Sequence, residues 1–206
     1  MEFTDIINSR RSVRNYSRKK VERSKVLKII DAARRAPSAC NYQNWHFVVV
    51  DKKNVIEKLH FVGAFHVKIS PISVFVFYDK RFANKKYQDH IQSASAAIMT
   101  MIYRACELGL GTCWVCDLPD ERYIKKVLKI PKHYQLIAMV NLGYPTQNKF
   151  PIKKLKSLEE ILSFNKYTKS ATRAHKFQKK EKKPLLFSMR RFLRDLIVRL
   201  YLWLEK

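Results

Sequence analysis

The sequence predicts a mixed α and β body over residues 1–162 followed by a basic tail, and three observations carry that expectation. Short runs rich in Val, Ile, Phe and Trp at 47–50, 72–78, 112–116 and 136–142 have the length and composition of strands. A span of small and apolar residues from 88 to 108 is too long for a strand and reads as a helix that is apolar on most sides, hence central and buried. Beyond residue 163 the composition shifts, with 13 Lys and Arg against 3 Asp and Glu.

In order, Phe3, Ile6 and Ile7 space as a short helix that starts near Thr4 or Asp5. Arg10-Arg11-Ser12-Val13-Arg14 then sets three guanidiniums and a hydroxyl within five residues. Guanidinium forks bind phosphate or a polarised carbonyl bidentately, although in so basic a chain a solvated turn has the same composition. Ser24 is the expected N-cap of a helix carrying Val26, Leu27, Ile30 and Ala33 on one face and stopped before Pro37. The polar loop Ala36-Pro37-Ser38-Ala39-Cys40-Asn41-Tyr42-Gln43-Asn44-Trp45 follows, and Phe47-Val48-Val49-Val50 reads as a buried strand. Ser38, Asn41, Gln43 and Asn44 offer donors and acceptors without formal charge, a set better suited to a neutral, multiply hydrogen-bonding ring than to a metal.

Gly109-Leu110-Gly111 ends the long helix, with glycine just past its last turn. Asp117 and Pro119 open a further helix that runs through Leu128, Gly143-Tyr144-Pro145 closes the last strand, and Ser157-Leu158-Glu159-Glu160 reads as a capped short helix. With only four glycines in 206 residues, each is expected to serve a backbone need.

Composition bounds the function. The chain is 47% hydrophobic, enough for a packed core, and its formal charge of +25 attracts polyanions, anionic lipid or phosphorylated ligands without choosing among them. Met1-Glu2-Phe3-Thr4-Asp5 lacks the basic start and apolar run of a secretory signal, so a reducing cytoplasm is the expected compartment, with attachment to the inner face of the membrane as an alternative placement. Cys113-x-x-Cys116 has no second pair at metal spacing, the six histidines are scattered, and no metal is expected. No GxGxxG or GxxxxGK[ST] stands at a strand-to-helix junction, which disfavours Rossmann and P-loop nucleotide sites.

Four stretches taken together carry a resemblance: Arg10-Arg11-Ser12-x-Arg14, Ala-Pro-Ser-Ala-x-Asn-x-Gln-x-Trp at 36–45, Gly-Leu-Gly-Thr-Cys-Trp at 109–114, and Gly143-Tyr144-Pro145. In this order and spacing, over roughly residues 3–162, the chain resembles the nitroreductase family of FMN-dependent oxidoreductases. The resemblance implies an α+β fold, a mixed and mainly antiparallel sheet flanked by helices and completed in a homodimer. It implies FMN as cofactor, NADH or NADPH as electron donor, and a small-molecule electron acceptor such as a nitroaromatic, a quinone, an enone or a biosynthetic intermediate. Arg10 and Ser12 would hold the phosphate, Arg14 would face the pyrimidine edge, and Arg11 would join the phosphate group or face solvent. Pro37, Ser38, Ala39 and Asn41, with Gln43 in support, would come from the other subunit. Trp114, Val115, Cys116 and Asp117 would line the ring, with a backbone N–H near Cys116 directed at flavin N5 and no catalytic side chain required. Lys153 and Lys154 fall where the family sets basic residues on the phosphate, although Leu155 stands where an arginine is often found. Acceptor choice would rest on loops near 80–90 and 117–123.

The tail lies outside the resemblance. Residues 163–183 read as a basic linker and 184–206 as a basic amphipathic helix with Leu193, Leu196, Ile197, Leu200 and Leu204 on one stripe. Such a helix would pack across the dimer, meet an anionic membrane surface or dock a protein partner. The competing reading of the whole chain is a non-catalytic basic binding protein for nucleic acid or anionic membrane on a flavoprotein-like fold. No recognition-helix or RNP-like motif supports it, and no specific nucleic acid is expected.

Overall fold

The computed structural model describes residues 2–84, 86–147, 150, 151 and 153–167, together with 196, 198 and 200. The chain divides into two compact units, Met1–Asn148 and Lys149–Lys206.

In the first unit five helices and four strands run in the order α1 (Phe3–Ser9), α2 (Arg23–Ala33), β1 (Trp45–Val50), α3 (Lys53–Phe61), β2 (Ile72–Asp79), α4 (Asp89–Glu107), β3 (Gly111–Val115), α5 (Glu121–Leu128) and β4 (Tyr134–Gly143). The strands form one sheet in the order β1-β2-β4-β3, and all three pairings are antiparallel. A β-bulge between Val76 and Phe77 bends the central β2–β4 ladder. The expected α+β architecture is present.

Strand β2 is apolar almost throughout because both faces of the sheet are covered. Ile72, Val74, Val76 and Tyr78 point into one core with Ala138, Val140 and Leu142 of β4, Val26, Ile29 and Ala33 of α2, and the inner face of α4. Phe75 and Phe77 point the other way and meet Met139, Leu59 of α3, Ile124 of α5, Cys113 and Val115. The inner face of α4 is built from Ala94, Ala97, Ile98, Met101, Ile102 and Ala105, and its alanines let the helix approach the sheet closely. Within the sheet, Ser73 Oγ donates to Asn141 Oδ1 at 2.9 Å and Asn141 Nδ2 donates to the His66 carbonyl at 2.9 Å, so these buried polar groups are satisfied.

Several elements depart from expectation. The N-cap of α2 is Glu22, not Ser24, and its buried face is Val26, Ile29 and Ala33, whereas Leu27 is 60% exposed. Strand β1 is a half-buried edge strand with Val49 exposed, because an edge strand has a neighbour on one side only. Helix α3 was not foreseen: it has no side-chain cap and buries only Leu59 fully. Helix α5 starts at Glu121 behind an Asp120 cap, later than Asp117 and Pro119 suggested. Gly109 ends α4 with φ +75°, as foreseen.

In the second unit, Leu158–Glu160 is one 3-10 turn, closed by reciprocal capping between Ser157 and Glu160. Leu196, Val198 and Leu200 are helical, with Val198 buried and Leu196 and Leu200 exposed. The rest of the proposed tail helix, and the linker beyond residue 167, lie outside the described residues. Among the described residues no helix is long and apolar enough to cross a membrane.

Candidate functional site

The Arg10–Arg14 segment leaves the end of α1 and runs as a strap along the free edge of β3. Ser12 and Thr112 form a parallel bridge, and the Val13 amide donates to the Thr112 carbonyl at 2.8 Å. Val13 is 5% exposed and lies over Gly111, where a Cβ would meet Val13 Cγ2 at 2.7 Å; only glycine permits this approach. The strap is then tied to the end of β4: the Ser17 amide donates to the Tyr144 carbonyl at 2.8 Å, the Thr146 amide to the Asn15 carbonyl at 3.3 Å, and Tyr16 bridges to Pro145. Tyr144 in turn reaches α2. Its hydroxyl donates to Glu22 at 2.7 Å and accepts from Lys25 Nζ at 2.8 Å, and Lys19 Nζ stands 4.2 Å from its ring centroid. Hydrogen bonding from Tyr144 holds the Glu22 carboxyl below its ordinary range and raises the Lys25 ammonium above its own.

Within the strap the cations differ. Arg14 and Ser12 are exposed and Arg10 is partly buried. Arg11 folds back on the end of α1, with Nη1 donating to the Asn8 carbonyl at 2.6 Å and the Arg10 carbonyl at 2.9 Å. Arg14 acts electrostatically on two groups beneath it. Burial pushes the Cys113 thiol and the Tyr16 phenol up, and Arg14 partly offsets both shifts.

Trp114 and Val115 lie on β3 and face opposite layers of the core, and Cys116 and Asp117 emerge exposed beyond the strand. The indole Nε1 of Trp114 is buried without a hydrogen-bond partner among the described residues. Buried donors of this kind usually find one. The fold thus runs the segment that carries Arg10, Ser12 and Arg14 along β3, the strand that bears Trp114 and Val115.

Pro37, Ser38, Ala39, Asn41 and Gln43 are gathered elsewhere. Their loop is fixed to the first turns of α4 through the Ala39 amide, which donates to Ser93 Oγ at 3.0 Å. It is closed on itself by the Gln43 amide on Ser38 Oγ at 3.0 Å and by Gln43 Nε2 on Asn41 Oδ1 at 2.8 Å. Cys40, Asn41 and Gln43 have φ of 49°, 55° and 51°, left-handed values that side chains other than glycine rarely adopt. Such strain persists where surroundings over-determine it, most often at functional sites. The strap begins near the other end of α4, where Ser9, the last residue of α1 before it, has its Oγ 3.6 Å from Cys106 Sγ. From Ser93 to Cys106 the helix rises about 20 Å, so loop and strap are well separated within one chain.

Lys153 and Lys154 are exposed in the second unit. Neither of two surface cavities, one of about 520 Å³ between α2 and α4 and one of about 250 Å³ beside β1, is lined by any of the expected site residues. The sequence motifs contain Gly111 and Tyr144, but their spacing gave no sign that these two, with Val13 and Tyr16, hold the strap; the scarcity of glycine was the one clue. Among the described residues no three His, Cys, Asp or Glu side chains cluster as a metal site requires.

Similarity to other proteins identifies the family. A protein from Methanothermobacter thermautotrophicus, described as a candidate NADH dehydrogenase/NAD(P)H nitroreductase, is 34% identical over 154 residues, covering 72% of this chain and 80% of its own. A counterpart of the same description from Archaeoglobus fulgidus is 33% identical over 153 residues, covering 72% and 88%. The structure of an FMN-dependent nitroreductase from Clostridium difficile superposes with a TM-score of 0.69 at 30% identity, covering 79% of this chain and 98% of that one. The sequence model of the nitroreductase family matches residues 7–62 and 59–144, and with the fold and the ordered motifs these likenesses establish that the chain belongs to the nitroreductase family of oxidoreductases.

Proposed function

We propose that the protein is an FMN-dependent oxidoreductase that passes hydride equivalents from NADH or NADPH to an electron-poor small molecule. The observation that supports this reading is the strap fixed on β3, where Ser12 pairs with Thr112 and the Val13 amide donates to the Thr112 carbonyl, two residues before Trp114. When bound, FMN supplies reversible two-electron chemistry at its ring, and its phosphate is a dianion. The chain's own residues fit such a ligand. Arg10 and Ser12 offer charge-assisted and hydroxyl hydrogen bonds to phosphate, and Arg14 offers a cation to the ring edge on which negative charge develops. Gly111 lets Val13, between Ser12 and Arg14, lie close against β3. Cys116 contributes through its backbone, so its thiol takes no part. Lys153 and Lys154 are assigned to the phosphate on the resemblance of their position alone, and Arg11, engaged at the end of α1, is assigned a structural role.

The second half of the site is assigned to a partner subunit. Loop residues Pro37, Ser38, Ala39 and Asn41, with Gln43 bracing them, stand about 20 Å along α4 from the strap, so a homodimer that sets one chain's loop against the other's strap completes two equal sites. Two measurements test these assignments. Purified protein that stays colourless and takes up no added FMN would sink the cofactor reading. In mixed dimers of wild-type chains and chains carrying Ser38→Ala and Asn41→Ala, FMN is expected to be lost from the site whose strap is wild type; loss only from the variant chain's own site would refute the cross-subunit assignment.

A further inference from the structure

Large rings exposed to water on adjacent loops need an explanation, because isolated apolar residues on a surface are ordinary whereas grouped ones mark contact sites. Tyr42, in the Ala36–Trp45 loop, is 48% exposed, and Phe82, on the connection between β2 and α4, is 59% exposed. Their centroids are 6.2 Å apart with planes inclined by 38°, within the range of attractive aromatic pairs. The two loops are tied by the Asp79 amide, which donates to the Asn44 carbonyl at 2.9 Å. Four of the six non-glycine residues with positive φ among those described lie on these two loops: Cys40, Asn41, Gln43 and Gln88.

Charge at this rim is mostly positive toward solvent, the exception being the Asp89 carboxylate, which is 20% exposed and accepts from the Asn84 amide at 2.9 Å. The Asp79 side chain is 6% exposed, and its Oδ2 accepts from Arg81 Nη2 at 2.6 Å and from Nε at 3.0 Å. That pairing holds the guanidinium 5.8 Å from the Phe82 ring centroid, while the Arg81 side chain stays 59% exposed. Lys80 is exposed beside it, and Lys86 stands 5.5 Å from the ring centroid of Tyr87, itself 60% exposed. The buried carboxylate orients Arg81 and leaves the exposed cations in excess.

We propose that Tyr42 and Phe82 form the platform for the electron acceptor, and that it takes a flat aromatic molecule bearing a carboxylate, the ring stacking on Phe82 and the carboxylate meeting Arg81. The inference rests on the oxidoreductase reading, since it places the platform beside the loop assigned to the flavin.

The test uses the full-length, FMN-loaded protein and a matched pair of acceptors, 4-nitrobenzoate and 4-nitrobenzyl alcohol, which differ in charge. Wild type is expected to favour the carboxylate in kcat/KM by about three- to tenfold. Phe82→Leu, which keeps an apolar side chain, should raise KM for both about three- to tenfold. The double variant Asp79→Asn with Arg81→Gln, which leaves no unpaired buried carboxylate, should erase the preference for the carboxylate. Equal kcat/KM for the two acceptors in wild type, or unchanged KM in Phe82→Leu, would overturn the proposal. Binding of 4-nitrobenzoate followed by quenching of protein fluorescence reads the platform without turnover. If NAD(P)H is not oxidised but binding persists in wild type and weakens in Phe82→Leu, the oxidoreductase reading fails and the platform stands; binding indifferent to Phe82 removes the platform whatever the enzyme does.

Discussion

Replacing Gly111 by alanine tests how tightly the strap is seated. The new Cβ would lie 2.7 Å from Val13 Cγ2, 2.8 Å from Val13 Cβ and 3.0 Å from Cγ1. Rotating Val13 about χ1 moves the two methyls but not its Cβ, so a rotamer change cannot relieve the clash. Val13 is also held by its amide on the Thr112 carbonyl and is 5% exposed, so the backbone of the strap has to move. Overpacking of this kind costs about 1–3 kcal/mol. The same movement displaces Ser12 and Arg14, so FMN affinity should fall along with stability. Val13→Gly alone leaves a hole and costs roughly 2–3 kcal/mol from lost burial and added chain entropy. In the Gly111→Ala and Val13→Gly double variant the new methyl occupies the vacated space, and the double should be at least as stable as Val13→Gly alone. Urea unfolding of the four proteins gives the coupling energy, expected at about 1–3 kcal/mol in favour of the double. Additivity within about 0.5 kcal/mol would refute the contact as the reason for glycine at this position.

Three further outcomes follow from the geometry. Hydrogen bonding from Arg81 holds the Asp79 carboxyl below its ordinary value, so its contribution to stability is complete above about pH 4 and is lost as pH falls through the depressed value; acid unfolding of Asp79→Asn should lack that part of the pH dependence, and an unchanged profile would contradict the pairing. Cys113 is buried with its thiol pushed up by burial, so brief alkylation at neutral pH, mapped by mass spectrometry, should spare Cys113 until urea is added; labelling of Cys113 in the folded protein would contradict its burial. Tyr144→Phe removes the hydroxyl that joins Glu22 and Lys25, and amide exchange at Val13 and Ser17 should quicken while that of β2 stays slow; exchange at Val13 and Ser17 unchanged from wild type would show that the strap does not depend on the link.

The central strands were legible because burial on both faces leaves a mark in composition. Strand β2 is a run of apolar residues bounded by Pro71 and Asp79, and that run suffices to place it. Strand β1 looks the same in sequence, yet Val49 is 39% exposed, because edge position depends on which strand lies alongside and not on the strand itself. Helix α3 was invisible for the opposite reason, since one fully buried leucine in nine residues leaves no periodic stripe. In the candidate site the motifs picked out Arg10, Ser12 and Arg14, and Gly111 and Tyr144 as well, but not the contacts that join them, since spacing carries no information about contacts between segments so far apart in the chain. The four glycines did announce a backbone need, met at Gly111 and Gly143 by close approach, where a Cβ at 143 would meet Pro71 and Tyr16 at 2.7 Å.

The scarcity of glycine also bears on the Ala36–Trp45 loop. Left-handed backbone costs non-glycine residues roughly 1–2 kcal/mol each, least for asparagine, and this loop contains three of them within four residues. Glycine would relieve the cost but would loosen the segment through added chain entropy. Side chains at these positions keep something that glycine would lose: Gln43 braces Asn41 at 2.8 Å, and Ser38 Oγ holds the Gln43 amide at 3.0 Å. Anchored by Ala39 on Ser93, the loop is therefore ordered before any ligand or partner arrives, and less entropy remains to be lost on binding. In the proposed homodimer the loop at one end of α4 and the strap at the other are two half-sites about 20 Å apart on one chain, and that is why the mixed-dimer measurement, rather than a variant of either half alone, decides how the site is assembled.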